Sequence, residues 1–376
     1  MARHVLITGG AGFIGSHIAA RLLESGVRVR VLDILHPQVH GESERPAYLH
    51  PDVELIVGDL RDLATVRRAI DGIDSVIHLA ARVGVAQSMY ELTEYASTNA
   101  LGTAALLEAL AKHRVERLIV ASSMSIYGEG LYVDESGRPR EDVSRTREQL
   151  EAGRWQPAGD RGEPLEPVAT PESKRPSAFS TYALEKYYQE RLCLIFGAAY
   201  EIPTTALRLF NVYGPHQALS NPYTGVLAIF ASRLLNRRPL LIFEDGEQRR
   251  DFVNVKDVVR AFLLALDSPA ADGMAINVGS GQCVTINEVA ARFARLLGRE
   301  DVGVTINRKY RVGDIRHCFA DISLAGRVLN YRPAVNMDDG MREFAAWLDG
   351  QVAVDRIDQM TAELSAKNLM LGGNGP

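Results

Sequence analysis

Two rhythms of apolar and polar residues alternate through the first half of the chain. Short apolar runs at 4–8, 28–32, 53–57, 75–78, 117–121 and 204–208 have the length of strands. Between them lie longer segments with apolar residues at helical spacing, the first of which closes on Ser25-Gly26. Strands alternating with helices predict an α/β fold on a doubly wound parallel sheet, with ligands held at the carboxyl ends of the strands. Beyond residue 210 the alternation is less regular. Segments 226–235 and 255–266 read as helices, 240–243 as an apolar run, and 276–279 as a strand ending in a glycine turn. We therefore expect a nucleotide-binding domain over 1–210, a smaller C-terminal α/β lobe over 211–350, and a tail over 351–376 that has lost its pattern and frays. Residues 129–176 interrupt the first domain with a polar, Pro- and Gly-rich stretch too long for an ordinary connection. Two readings stay open for it, a substrate-covering insertion and a disordered loop.

The strand ends carry the chemistry. The first strand runs into Gly9-Gly10-Ala11-Gly12-Phe13-Ile14-Gly15, a GxxGxxG turn that opens a helix. Strand, glycine turn and helix together let the backbone approach a pyrophosphate at a helix N-terminus, the Rossmann arrangement. The second strand ends in Asp33, where a carboxylate accepts hydrogen bonds from both ribose hydroxyls and repels a 2′-phosphate, favouring NAD over NADP. Asp59-Leu60 follows the third strand, with Asp59 in reach of an adenine amine. Ala80 and Ala81 follow the fourth, small enough for a flat ligand to pass. Asn99 lies on the next helix, and the fifth strand delivers Ser122 and Ser123. His78 reads as a packed or hydrogen-bonded histidine.

Tyr182 and Lys186 stand at i and i+4 of a segment with helical composition, so they share a face. The ammonium favours the ionised phenol. A free phenol titrates near 10, and a base working at neutrality needs on the order of 4 kcal/mol of help, more than one lysine supplies. A bound cofactor cation would supply the rest.

Composition then excludes alternatives. The 376 residues are 46% hydrophobic and 24% charged, with a net charge of -5, and basic residues cluster only in pairs, which argues against a nucleic-acid partner. Three scattered cysteines, Cys193, Cys283 and Cys318, have no metal-ligand spacing and read as reduced thiols. No apolar run approaches a membrane span and no leader pattern precedes the first strand. The expectation is a cytoplasmic protein without metal or membrane partner.

Taken in order, T-G-G-A-G-F-I-G, H-L-A-A, S-S-M-S-I-Y-G, Y-A-L-E-K, R-L-F-N-V-Y-G-P and R-R-D-F-V-N-V-K-D resemble the extended short-chain dehydrogenase/reductase family that modifies nucleotide sugars. The resemblance implies Ser123, Tyr182 and Lys186 as the catalytic trio, with Tyr182 and Lys186 also touching NAD. It implies Ser123, Ser125, Asn211, Phe243, Arg250 and Arg311 as substrate contacts, the two arginines and Asn211 on the diphosphate. The 4,6-dehydratases of the family carry Asp-Glu after the Ser/Thr, and the decarboxylases tend to have Glu at the second of those positions. Here the pair is Met124 and Ser125, neither fitted for that proton work. Oxidation and re-reduction at one alcohol carbon remains, the chemistry of a 4-epimerase. Within that chemistry the wording is similar to the dTDP-L-rhamnose 4-epimerase group, although the insertion lacks the cysteines of some members. Epimerases of UDP-glucose or UDP-glucuronate, a 4-keto-sugar reductase, and an NAD-sensing regulator on the same fold are the alternatives. The family also implies a homodimer through the helices around 99–111 and 182–196.

Overall fold

The computed structural model describes residues 3–372. A seven-stranded sheet organises them: β1 (His4–Thr8), β2 (Arg28–Asp33), β3 (Glu54–Val57), β4 (Ser75–His78), β5 (Arg117–Ser123), β6 (Thr204–Leu209) and β7 (Ala275–Val278). Its order is β7-β6-β5-β4-β1-β2-β3, and every pairing is parallel. This is the expected doubly wound Rossmann-type α/β sheet. Each inner strand buries both faces, which is why the runs read as continuously apolar. Val5 and Ile7 of β1 join one core with helix α1 (Phe13–Glu24), whereas Leu6 joins the opposite one. That second core contains α2 (Leu63–Ile70), α3 (Gly102–Leu110) and α4 (Thr181–Tyr200).

The sequence boundary at 210 does not hold. Strand β7 adds to the sheet beside β6, and helix α6 (Val255–Asp267) packs its apolar stripe into the α1 core. The chain thus returns to the first domain after entering the second. Local pattern identifies such a strand but not the edge it joins. The smaller lobe has its own core, built from α5 (Val226–Leu235), α7 (Ile286–Leu296) and α8 (Met337–Leu348).

Two other expectations change. Residues 129–176 are ordered, so the reading as a disordered loop falls. They form a three-stranded antiparallel sheet of Leu131–Val133, Pro139–Arg140 and Glu166–Val168. Buried ion pairs and polar contacts hold it where its sparse apolar residues would not. The tail is also structured over its described part: α9 (Ile357–Ala366) buries Ile357, Met360 and Leu364, and Met370–Gly372 pairs antiparallel with Lys309–Arg311. The last four residues of the glycine-rich end, on which the frayed reading chiefly rested, lie outside the described residues. No helix among the described residues is long and apolar enough to cross a membrane.

Leu364 is fully buried against the cluster that includes Met360, Tyr90, Tyr223 and Phe243. Leu364→Ala is therefore expected to cost about 2–5 kcal/mol, read as a lower urea midpoint at unchanged m-value.

Candidate active site

Glycine geometry builds one side of the cleft. Gly9 has φ +70, and a Cβ there would lie 2.8 Å from the Ala80 backbone. At Gly15 a Cβ would lie 2.5 Å from Gly10 Cα. Strand, turn and helix therefore pack at a distance only glycine allows. Gly12 is the N-cap of α1 and offers no side-chain cap, so the first-turn N–H groups behind Phe13 and Ile14 lack an intrahelical partner and favour an anion. Asp33 fixes the turn, its carboxylate accepting the N–H of Ala11 at 3.0 Å and of Leu35 at 2.9 Å. An ionised carboxylate retains lone pairs beyond those two bonds. An uncapped helix start, an acid at the end of β2 and small residues at 80 and 81 fit an NAD-like dinucleotide.

Asp59 is held by Arg61, whose Nε lies 2.9 Å from its Oδ2. That guanidinium lowers the Asp59 pKa, chiefly by hydrogen bonding. Leu60 packs beside Gly102. The sequence puts Asn99 among the cofactor contacts. It is wholly buried in a π-helical turn, its Oδ1 accepting from Arg82 N at 2.7 Å and its Nδ2 donating to Arg82 O at 3.2 Å. Two of its four hydrogen-bonding positions are taken by the Arg82 backbone, so it shapes the loop after Ala81 and retains one N–H and one lone pair.

Helix α4 starts under a Ser180 cap that accepts from Ala183 N at 3.1 Å, and Ser88 Oγ accepts from Tyr182 N at 2.9 Å. These bonds set the register that puts Tyr182 and Lys186 on the face toward the sheet. Burial pushes the Tyr182 phenol up, and its hydrogen bond with Ser123 pulls it back. Burial lowers Lys186 to about 8, against the opposing fields of Cys193 and Glu190. Lys186 Nζ donates to Gln189 Oε1 at 2.7 Å, leaving two N–H bonds for a ligand or Tyr182. Gln189 Nε2 donates to Thr103 Oγ1 at 2.8 Å. Sequence reasoning missed Gln189; its position three residues after Lys186, on the same helical face, was the available signal.

The structure thus brings Ser123, Tyr182 and Lys186 together at the carboxyl edge of the sheet. Ser123 Oγ accepts from Ser125 N at 3.2 Å and from Ser125 Oγ at 2.9 Å, which leaves its own proton to donate outward. Met124 is buried among apolar neighbours. On the second lobe, Asn211 Oδ1 is buried without a partner among the described residues. Arg250 Nη1 donates to the carbonyls of Arg249 at 2.9 Å and Arg316 at 2.8 Å, and it makes no carboxylate pair among the described residues. Arg311 is partly committed: Nε donates to Asp314 Oδ2 at 2.7 Å, and the guanidinium carbon sits 5.1 Å from the centre of the Phe243 ring.

Fold and glycine cradle define a dinucleotide-binding enzyme of the Rossmann class. Residues 5–279 match the model of the NAD dependent epimerase/dehydratase family, and the chain belongs to that family. It is similar to dTDP-L-rhamnose 4-epimerase of Burkholderia thailandensis, at 35% identity over 92% of this chain and 95% of the relative. Among solved structures it is similar to UDP-glucose 4-epimerase of Thermotoga maritima with UDP-glucose, at 30% identity and a TM-score of 0.75, covering 92% of this chain and 99% of the other. It is also similar to MoeE5 in complex with UDP-glucuronic acid and NAD, at 31% identity and a TM-score of 0.73, over 92% and 99%.

His78 lies beneath this site. Its Nδ1 accepts from Thr8 Oγ1 at 2.7 Å and its Nε2 donates to Thr103 Oγ1 at 2.9 Å, an assignment that follows from Thr103 donating to Asn99 O. Burial, reinforced by the Lys186 ammonium, lowers it to about 3. Its folded pKa lies below its unfolded value near 6.5, so the unfolded chain binds the extra proton. Stability is present above about pH 6.5 and is lost as pH falls toward 3, by up to about 1.4 kcal/mol per pH unit. Urea midpoints between pH 6.5 and 4 should show this slope, and His78→Gln should reduce it, the remainder coming from His216 and His317, which burial also depresses.

Proposed function

We propose that the chain is an NAD-dependent 4-epimerase of a nucleotide-linked hexose, with dTDP-L-rhamnose as preferred substrate and dTDP-6-deoxy-L-talose as product. The observation that carries this reading is the meeting of Ser123, Tyr182 and Lys186 where the next two residues, Met124 and Ser125, offer neither acid nor base for elimination. Gly9, Gly12, Phe13, Ile14 and Gly15 would hold the dinucleotide pyrophosphate, Asp33 its ribose, and Asp59, Leu60, Ala80 and Ala81 the walls around adenine and nicotinamide. Asn99 would act through the Arg82 backbone.

Bound NAD supplies a reversible hydride acceptor and a positive charge near the phenol. Tyr182 removes the proton of the sugar 4-hydroxyl, and Ser123 donates a hydrogen bond to the same oxygen as it becomes a carbonyl. Lys186, largely cationic at neutral pH with a pKa of about 8, stabilises the phenolate and holds the cofactor ribose. Asn211, Phe243, Arg250 and Arg311 retain the nucleotide end while the 4-keto sugar turns its other face to the cofactor. Tyr182 then returns the proton. Support for the deoxythymidine substrate is the 35% relative, against 30% and 31% for the two UDP-sugar structures.

Incubation with dTDP-L-rhamnose, UDP-glucose and UDP-glucuronate in deuterated water, followed by NMR, decides among these readings. Inversion at C4 is expected fastest with dTDP-L-rhamnose and without deuterium on product carbon. Carbon-bound deuterium would mean elimination chemistry, and accumulating NADH would mean a net dehydrogenase. Tyr182→Phe should cut turnover by about a thousandfold with NAD still bound.

We further propose a homodimer through the outer faces of α3 and α4. Leu184, Tyr188 and Ile195 stand 43–58% exposed along one side of α4, an apolar stripe of the kind that marks an interface. Ile195→Glu should shift the protein to monomer in sedimentation velocity; an unchanged dimer would remove this face from consideration.

A further inference from the structure

We propose that Arg145, carried by the insertion, is a positioning residue for the nucleotide-diphosphate subsite, so that the insertion acts as a buttress behind that subsite. The proposal rests on the reading above that Phe243, Arg250 and Arg311 grip the nucleotide end. Arg145 is 4% exposed and points three ways. Its Nε lies 3.2 Å from Glu129 Oε1, Nη1 lies 2.7 Å from Glu244 Oε1, and Nη2 donates to Asp314 O at 3.0 Å. Glu129 and Glu244 are buried as deeply, so each needs a cation within the fold.

Both carboxylates also hold the segment around Arg316 that follows Arg311 and that Arg250 bonds to. Glu129 Oε1 accepts from Arg316 N at 2.8 Å, and Oε2 accepts from His317 N at 3.1 Å and Tyr132 Oη at 2.7 Å. The other oxygen of Glu244 meets Arg316 Nη1 at 2.9 Å, and Arg316 makes a fork with Asp245 at 2.6 and 2.9 Å. Glu129, Glu244 and Asp245 are thereby committed to Arg145, Arg316, Tyr132 or backbone. Arg250, bonded to the carbonyls of Ile315 and Arg316, is a half-buried cation with no carboxylate in direct contact among the described residues, Asp314 acting on it only at longer range. A ligand anion is the natural complement.

Phe243, Arg311 and Arg250 each connect to Arg145 through a short chain of buried contacts. Glu244 has a left-handed φ of +54, and holding its carboxylate fixes the turn that presents Phe243. Asp314 gives its carbonyl to Arg145 and its carboxylate to Arg311. Arg250 follows the carbonyls of 315 and 316, which Glu129 anchors through the next N–H groups. Only a planar guanidinium serves two carboxylates and a carbonyl in three directions at once.

The test is calorimetric binding of UDP and dTDP to the NAD-loaded enzyme. Arg145→Met should weaken both by about tenfold or more while bound NAD is retained, with KM for the nucleotide sugar rising more than kcat falls. Arg145→Lys should recover part of the affinity. Nucleotide affinity equal to wild type in folded Arg145→Met overturns the inference. Arg250→Ala separates the two layers of the argument. If Arg250→Ala loses nucleotide and Arg145→Met does not, the buttress is refuted and the subsite stands; if neither loses it, the subsite reading falls as well. Should Arg145→Met fail to fold, hydrogen exchange on the wild type decides. UDP should slow exchange over 141–148 together with 311–318, and slowing confined to 311–318 refutes the buttress.

Discussion

A buried ammonium has to be answered from within the fold, and the answer to Lys186 organises the first domain. Its Nζ meets Gln189, which meets Thr103 of α3, which meets His78 at the end of β4 and through it Thr8 at the end of β1. One helix, its neighbour and two sheet strands are thereby locked at the edge where ligands bind. Because His78 is held neutral, the network adds no second charge beside Lys186. Lys186 can remain a cation whose remaining N–H groups face the cleft. The desolvation that lowers Lys186 also raises Tyr182, so the phenol is un-ionised until further positive charge arrives. Burial thus couples the base to cofactor occupancy.

A second buried pair performs the same kind of work on the other side of β5. Glu190 of α4 takes a fork from Arg208 at 2.9 and 2.7 Å and a hydroxyl from Ser122 at 2.6 Å. Arg208 continues to Tyr127 at 2.8 Å, and Tyr127 to Asn277 at 2.7 Å. Buried ion pairs of this kind contribute little net stability when desolvation is counted, so their value here is positional. They hold α4 against β5 and β6, and Asn277 in turn binds the returning end of the insertion through Thr170 O at 2.9 Å. Helix α4, the sheet and the insertion are thereby joined by one buried hydrogen-bond network. Across the cleft, the Arg145 and Arg316 cluster keeps the second lobe's arginines equally fixed.

Legibility followed the range of the interaction. The GxxGxxG turn, Asp33 and the i, i+4 pair of Tyr182 and Lys186 are local patterns, and the structure assembles them as read. Ser123 was legible because it ends a strand. The bond of Asn99 to the Arg82 backbone was not legible, since the two lie 17 positions apart. The order of the insertion, left open by the sequence, and of the tail, read as frayed, escaped local pattern for a shared reason: both are sparse in apolar residues and order through distant partners, Glu129 with Arg316 and Leu364 with Tyr90 and Phe243. Composition carries no record of those partners.

By itself the sequence determined the doubly wound sheet, the glycine cradle for a dinucleotide, and a phenol and ammonium on one helical face, because each depends on residues within a turn or a strand of one another. Met124 and Ser125 are likewise read from identity alone, as side chains without the acid and base that elimination needs. The tertiary structure decided that β7 returns to the first domain, that Gln189 and His78 satisfy the buried lysine, and that an insertion arginine braces the second lobe. Those outcomes depend on which distant groups meet once water is removed, where an unpaired charge is costly and a paired one fixes position.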